Sequence, residues 1–418
     1  MDGKVEVRDI PEQAQERAAP IESADLVIAV LTDLDRGSLA NLCTDLQSLG
    51  GSHRIAVLQN DPGGAAQSDS ANAAEKSIPF LTPWPLLDPE DSGSPVTNMF
   101  SAYQSVFAAG EKLGARACCV VASKLETTKP GWICQLAQPL LEGSADLVVP
   151  RYARRRFEGL LNSSIISPLT RSLYGKRLGN PMGPDLGVSQ RLAQKTLDAE
   201  RTQRSNGSHP MASLVPTTLC EGLQVCELNV GARNYRPTDW TNISSLLAQI
   251  LGPILLAMEQ TAACWQRTRG SAPVPAIGEA VVVSQDTGTV DIGHLVESFQ
   301  LGNRDLQEIW SLVLPPASLF ELMKLARLPL AQFRMPDDLW ARIIYDFALA
   351  HRLRTINRDH LLKSLTPLYL GWVASYAQDM ATAAPAALEQ RLERLSAAYE
   401  ANKSYLVSRW RWPDRFNP

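Results

Sequence analysis

The side chains in this chain best suited to chemistry are charged groups placed just beyond apolar runs. Asp33 and Asp35 follow the run ADLVIAVL at 24–31, and Asp61 lies in the turn Asn60-Asp61-Pro62-Gly63-Gly64. Carboxylates at such places are turn formers, and their hard oxygens also suit a divalent ion. Lys124 follows the run ARACCVVA at 115–122. An ammonium there is either a solvated surface charge or a group that neutralises a phosphate. Arg151, Arg154, Arg155 and Arg156 form a basic run. It is either a solvated face or a set of planar forks for a carboxylate or phosphate. Asp185 comes after Gly183-Pro184, and His209, before Pro210, offers an imidazole of moderate fitness for Mn²⁺.

The elements that must position these groups are legible as patterns. Residues 24–31, 54–59, 115–122 and 146–150 are short apolar runs, as expected of strands buried on both faces. Residues 39–49 have helical spacing, and Met99, Tyr103, Val106, Phe107, Gly110 and Leu113 mark another helix. The β-α-β rhythm predicts a parallel sheet with right-handed crossovers. Residues 61–95, rich in Gly, Ser, Ala and Pro, read as a long loop in which 78–87 packs locally. A second linker is expected at 269–278, after which amphipathic helices replace strands; Leu388, Leu392, Leu395 and Tyr399 form the last clear stripe. Trp410 and Trp412 are read as anchors of the chain's end.

At 418 residues the chain calls for two domains. An apolar fraction of 45% and a charged fraction of 20% are those of a folded globular protein. A net charge of −4 and a pI near 5.8 argue against a surface built for nucleic acid or anionic membrane. The polar first 20 residues contain no apolar leader segment. The most apolar stretch, 245–258, is interrupted by Pro253 and is shorter than the ~20 residues of a membrane span, so a buried helix is expected. Seven cysteines show no ladder spacing, and Cys118-Cys119 lies in an apolar run where free thiols act as small hydrophobes. Both features fit a reducing, cytoplasmic setting.

The segment SADLVVPRYARRRFEGLLNSSIISPLTRSLYGKRLGNPMGPDLGVS at 144–189 resembles retaining glycosyltransferases of the GT-A fold. These are related to the family 2 enzymes and to the glucosyl-phosphoglycerate and mannosylglycerate synthases. The likeness continues in order through WTNISSLLAQILGPILLAMEQ, IIYDFALAHRL, HLLKSLTPLYLGWVAS and ANKSYLVSRW. It implies an α/β fold: a mostly parallel GT-A sheet domain over 23–270 and an all-helical domain over 279–418, after a tail at 1–22.

The resemblance also implies a nucleotide-sugar donor whose diphosphate is held by Mg²⁺ or Mn²⁺ on an Asp-X-Asp motif at a strand end. Here Ala122 and Lys124 stand in the places of those acids, which puts the metal in question. The family's Gly-Lys-Gly is replaced by Ser94-Pro95-Val96-Thr97-Asn98, and its His-Gly-Ile-Asp becomes His209-Pro210-Met211-Ala212. The donor side is then left with Asp33, Asp61, Ala122 and Lys124, with His209 as a surviving metal ligand and Lys124 as a cation able to replace the ion. Arg154, Asn162 and Tyr174 match the acceptor-binding positions, and Asp185 matches the acceptor-side acid. Two readings follow. One is hexose transfer to a small, glycerate-like hydroxyl acceptor; the other is an inactive relative that binds or regulates. A homo-oligomer is compatible with both. Either way Asp61, Ala122, Lys124, Asp185 and His209 should converge at the carboxyl ends of the strands, where open α/β sheets bind ligands.

Overall fold

The computed structural model describes residues 22–31, 53–60, 81–84, 95–122, 131–203, 210–232, 242–280, 290–381 and 386–413, with isolated positions 42, 46, 49 and 383. Asp33, Asp35, Asp61, Lys124, His209 and Glu126, the nearest carboxylate after the lost acids in sequence, lie outside the described residues.

One sheet of eight strands organises the first part of the chain. In sequence the strands are β1 (Leu26–Val30), β2 (Ile55–Asn60), β3 (Leu81–Trp84), β4 (Ala117–Val121), β5 (Leu147–Ala153), β7 (Leu186–Ser189), β8 (Val225–Ala232) and β10 (Ala276–Ile277). In space they run β10-β8-β5-β7-β4-β1-β2-β3. Every pairing is parallel except those of β7, which runs antiparallel between β4 and β5. This is the mostly parallel α/β architecture that the resemblance implies. A small parallel ribbon, β6 (Lys176–Arg177) with β9 (Ala272–Pro273), stands apart from it.

Strand periodicity explains why the runs are apolar throughout. Along β1, Leu26, Ile28 and Val30 enter the core on one face and Val27 and Ala29 the core on the other. In β4, Cys118 and Val120 face one core and Cys119 and Val121 the other, all at most 5% exposed. Burial pushes the Cys118 thiol up to about 12, so both Cys118 and Cys119 pack as inert hydrophobes, as the sequence indicates.

The helices around the sheet are α1 (Pro95–Leu113), α2 (Trp132–Leu141), α3 (Ser167–Tyr174), α4 (Gln190–Gln203), α5 (Leu214–Cys220), α6 (Ile243–Gln260) and α7 (Ala262–Trp265). A π-helical turn, Asn162–Ile166, leads into α3. After Ile277 the described chain contains helices and no strand. They are α8 (Ile292–Asp305), α9 (Gln307–Val313), α10 (Pro316–Leu325), α11 (Asp337–Leu353), α12 (Arg358–Ser364), α13 (Thr366–Met380), α14 (Ala386–Ala401) and α15 (Lys403–Arg411).

Three features differ from the sequence expectation. The stretch 269–278, read as a linker, contributes β9 and β10, because its Ala-Pro and Ala-Ile pairs find open strand edges. The helical layer is also not walled off: one core cluster joins Leu247, Leu251 and Leu255 of α6 and Leu169 of α3 to Trp340, Trp372 and Tyr399. And α6 is only half a buried helix. Ile243, Leu247, Leu251 and Leu255 recur every fourth residue on its inward stripe, each buried leucine contributing about 2 kcal/mol. Its other face, with Leu246 at 37% exposure, is open. With a mean hydropathy of 1.3, α6 is the one described helix long and apolar enough to cross a membrane, and only 33% of it is buried.

Two of the seven cysteines, among which the sequence shows no ladder spacing, are paired. Cys220 at the end of α5 and Cys264 in α7 form a disulfide with their Cα atoms 5.7 Å apart. They are 44 residues apart in sequence, and spacing alone cannot reveal such a partner. Trp410 does anchor the chain's end: it is 3% exposed, edge-on to Trp265 with ring centres 5.1 Å apart, and covered by Arg352. Trp412 is exposed.

Among the described residues of the helical core, His351 is acid-sensitive. His351 in α11 is buried, and its Nδ1 has no partner among the described residues. Burial, aided by Arg358 and Arg354, pushes its imidazole down to about 4. The unfolded chain therefore binds the proton more tightly, so this group's contribution is present above the ordinary histidine value and is lost as pH falls from about 6.5 to about 4. His351→Leu should flatten that part of the stability profile, read as urea midpoints at successive pH values. An unchanged acid limb would contradict this assignment.

Candidate functional site

The carboxyl edge of the sheet is built around Asp185. Because β7 pairs antiparallel with β4, with Leu186 opposite Val120, the residue before Leu186 falls beside the end of β4. There the Asp185 carboxylate accepts the Ala122 backbone N–H at 2.6 Å and the Tyr152 hydroxyl. Asp185 is 1% exposed and Tyr152 is 4% exposed. Both carboxylate oxygens are thus engaged inside the protein, and buried donors of this kind need an acceptor.

The segment leading to Asp185 is fixed just as closely. Tyr103, from α1, donates its hydroxyl to the carbonyls of Gly183 and Pro184, at 3.1 and 2.8 Å. Asn180 donates to the Pro150 carbonyl at 3.3 Å. A Cβ on Gly183 would lie 2.5 Å from that Asn180 nitrogen, so the glycine is required by close approach. Gly179 is held at both ends of its backbone. Its carbonyl accepts from Arg154 at 2.7 Å and Asn162 at 2.9 Å, and its N–H is taken by Glu227 of β8. Glu227 is 4% exposed; burial raises its carboxyl above the usual carboxylate range, while the Gly179 amide, Arg151 and Arg154 pull against that shift.

The arginine run joins layers. Arg151 pairs with Glu389 of α14 at 3.0 Å, and Arg155 pairs with Glu158 at 2.8 Å. Arg156 donates to the carbonyls of Met380 and Ala383 at 2.6 and 3.1 Å, and its own carbonyl accepts from Tyr376. Of the guanidinium forks that sequence reading offered to an anionic acceptor, those of Arg151 and Arg156 therefore fasten the end of β5 to the helical layer.

Of the residues singled out by sequence, Ala122 meets Asp185, and Arg154 meets Asn162 at Gly179. Tyr174 stands elsewhere: its hydroxyl bonds to Thr261 at 2.8 Å at the end of α6. It lines an apolar cleft between α1 and α6 that also touches Tyr103, Met182 and Gly183. Three members of the cluster were missed. Tyr103 was read as part of an apolar helical stripe, and Tyr152 lies just past the strand expected at 146–150. Glu227 did carry a signal, a lone acid inside the apolar run VCELNV, which marks a buried carboxyl needing donors.

These described residues do not fit a divalent ion held against a diphosphate. Such an ion is held by paired carboxylates; Ala122 supplies none, and Asp185 is a single acid that already accepts two hydrogen bonds. No group of three or more His, Cys, Asp or Glu side chains suited to a metal occurs among the described residues.

No protein-family model matches the chain, and no curated protein matches it. Among solved structures it is similar to glucosyl-3-phosphoglycerate synthase from Mycobacterium tuberculosis in complex with phosphoglyceric acid. That match has 16% identity and a TM-score of 0.37, covering 58% of this chain and 83% of that one. The same enzyme with Mn²⁺, uridine-diphosphate and phosphoglyceric acid matches at 17% identity and a TM-score of 0.37, covering 58% and 81%. A mycobacterial protein matches at 19% identity and a TM-score of 0.38, covering 59% and 76%. The chemistry of the edge is read from this chain's own residues.

Proposed function

We propose that this chain is a glycosyltransferase-like protein that works by binding at the carboxyl edge of its sheet, without metal-assisted sugar transfer. The observation that carries this reading is the cluster in which Asp185 accepts from Ala122 and Tyr152. At the strand end where an ion-holding acid is expected, a methyl group stands instead. The acid nearest to it spends both oxygens on a backbone amide and a buried phenol. An ion placed there would lack one of the two acids the motif supplies, and would share Asp185 with the two hydrogen bonds it already accepts.

Hexose transfer from a nucleotide sugar to a glycerate-like hydroxyl would need its leaving diphosphate neutralised by some other group. Lys124, two residues beyond Ala122, is the cation positioned in sequence to do so. On either reading, Mn²⁺ has no role in holding a nucleoside diphosphate. Calorimetric titration of the whole chain with UDP and with GDP, each with and without Mn²⁺, tests this directly.

A further inference from the structure

We propose that the pocket between the β6–β9 ribbon and the corner of α14 and α15 binds a phosphate-sized oxyanion through Arg177, Lys403 and Ser271. The cavity there has a volume of about 380 Å³, within the range of roughly 300–1,000 Å³ usual for small-molecule sites. None of its lining residues belongs to the Asp185 cluster, so the inference stands apart from the reading of the sheet edge.

The local backbone explains how the cations come together. Gly175, at φ +70°, ends α3 and lets the chain pass close to Gly270; a Cβ on it would lie 2.9 Å from the Gly270 carbonyl oxygen. Lys403 spans this crossing, donating to the carbonyls of Leu173 and Thr268 at 3.1 and 2.9 Å. An ammonium has three donors, so one remains for a ligand. Arg177 donates its Nε to Ser271 at 3.1 Å, and no described group accepts from its two terminal nitrogens. A planar fork with a hydroxyl and an ammonium beside it matches an oxyanion with several acceptor oxygens.

The charge balance points the same way. Arg171, Arg177, Arg269 and Lys403 face two carboxylates, Glu393 and Glu400, and Arg171 holds both of these, at 2.6 and 2.8 Å. The remaining cations crowd each other: burial and the nearby Arg269 push the Lys403 ammonium down to about 8, against the pull of Glu400. A bound anion would relieve that crowding. Its affinity should therefore fall as pH rises through about 8 and Lys403 loses its proton.

The experiment is calorimetric titration of the full chain with inorganic phosphate at pH 7 and at about pH 9. The expected result is saturable one-site binding that weakens at the higher pH. Arg177→Ala, a change at an exposed position that leaves the core untouched, should weaken binding about tenfold. Arg304→Ala, at an exposed arginine paired among the described residues with its neighbour Asp305, should leave the binding unchanged. Glucose 1-phosphate is titrated in parallel. Tighter binding than phosphate would assign the site to a phosphate ester, and equal or weaker binding to the free anion. The proposal is overturned if phosphate gives no saturable binding, or if Arg177→Ala binds it as the parent chain does.

Discussion

Asp185→Ala is expected to destabilise the protein by about 3 kcal/mol, because it takes this acceptor away from the half-buried Ala122 amide and the buried Tyr152 hydroxyl. Asp185→Asn keeps one acceptor oxygen and should lose roughly half as much. Both values come from urea or guanidinium midpoints at constant m. The Tyr152→Phe variant separates the two donors: it removes the phenol's demand and should make a following Asp185→Asn change milder than in the parent chain. An acid kept free for chemistry behaves in the opposite way. Its removal leaves stability unchanged or improves it, and that outcome would show that the Asp185 carboxylate is not the pin that closes the end of β4.

The second large effect is expected in the helical layer. Asp346 of α11 is 1% exposed and forms an ion pair with Arg409 of α15 at 3.2 Å; Arg409 is itself 3% exposed. Tyr405 donates to both oxygens of the same carboxylate, at 2.8 and 2.9 Å. Burial pushes Asp346 up to about 7, with Arg409 and the Tyr405 hydrogen bond pulling it back. Asp346→Ala would strand a buried guanidinium and a phenol together, at a cost of about 3–5 kcal/mol. Asp346→Ala with Arg409→Met removes both charges and should recover most of that loss. If the single and double variants were equally destabilised, the pair would not be the fastening between α11 and α15.

How far the sequence foretold this can be judged element by element. The runs ADLVIAVL, RIAVLQ, ARACCVVA and DLVVP are buried on both faces, so β1, β2, β4 and β5 announce themselves by composition alone. β3 hides inside a Pro-rich stretch and pairs with β2 only in three dimensions, while β7 is four residues whose hydrogen bonds come from strands far away in sequence. Helices after residue 290 were legible from their stripes, and the sharing of a core between α3, α6 and that layer was not, because a stripe shows that a face is buried and not what buries it. At the site, Ala122 and Asp185 were named, but their bond depends on the register of an antiparallel strand that no local pattern reveals. Arg154 and Asn162 were assigned to a ligand by resemblance; each donates a hydrogen bond to the Gly179 carbonyl, and local sequence gave no hint of that distant backbone acceptor. The bare run of arginines suggested an anion site in the same way, and Arg151, Arg155 and Arg156 turn to Glu389, Glu158 and backbone carbonyls.

The central claim concerns what the carboxyl edge of the sheet is able to hold, and nucleoside diphosphate titration with and without Mn²⁺ tests it most directly. With Ala122 in the place of an acid and Asp185 bonded to Ala122 and Tyr152, UDP and GDP are expected to bind weakly or not at all, and Mn²⁺ to leave whatever affinity exists unchanged. Replacing Ala122 and Lys124 with aspartates should introduce a Mn²⁺ dependence that the parent chain lacks. Tight, Mn²⁺-dependent binding of either diphosphate by the unaltered chain would contradict the account, since Asp33, Asp61, Glu126 or His209 would then be supplying the ion's ligands.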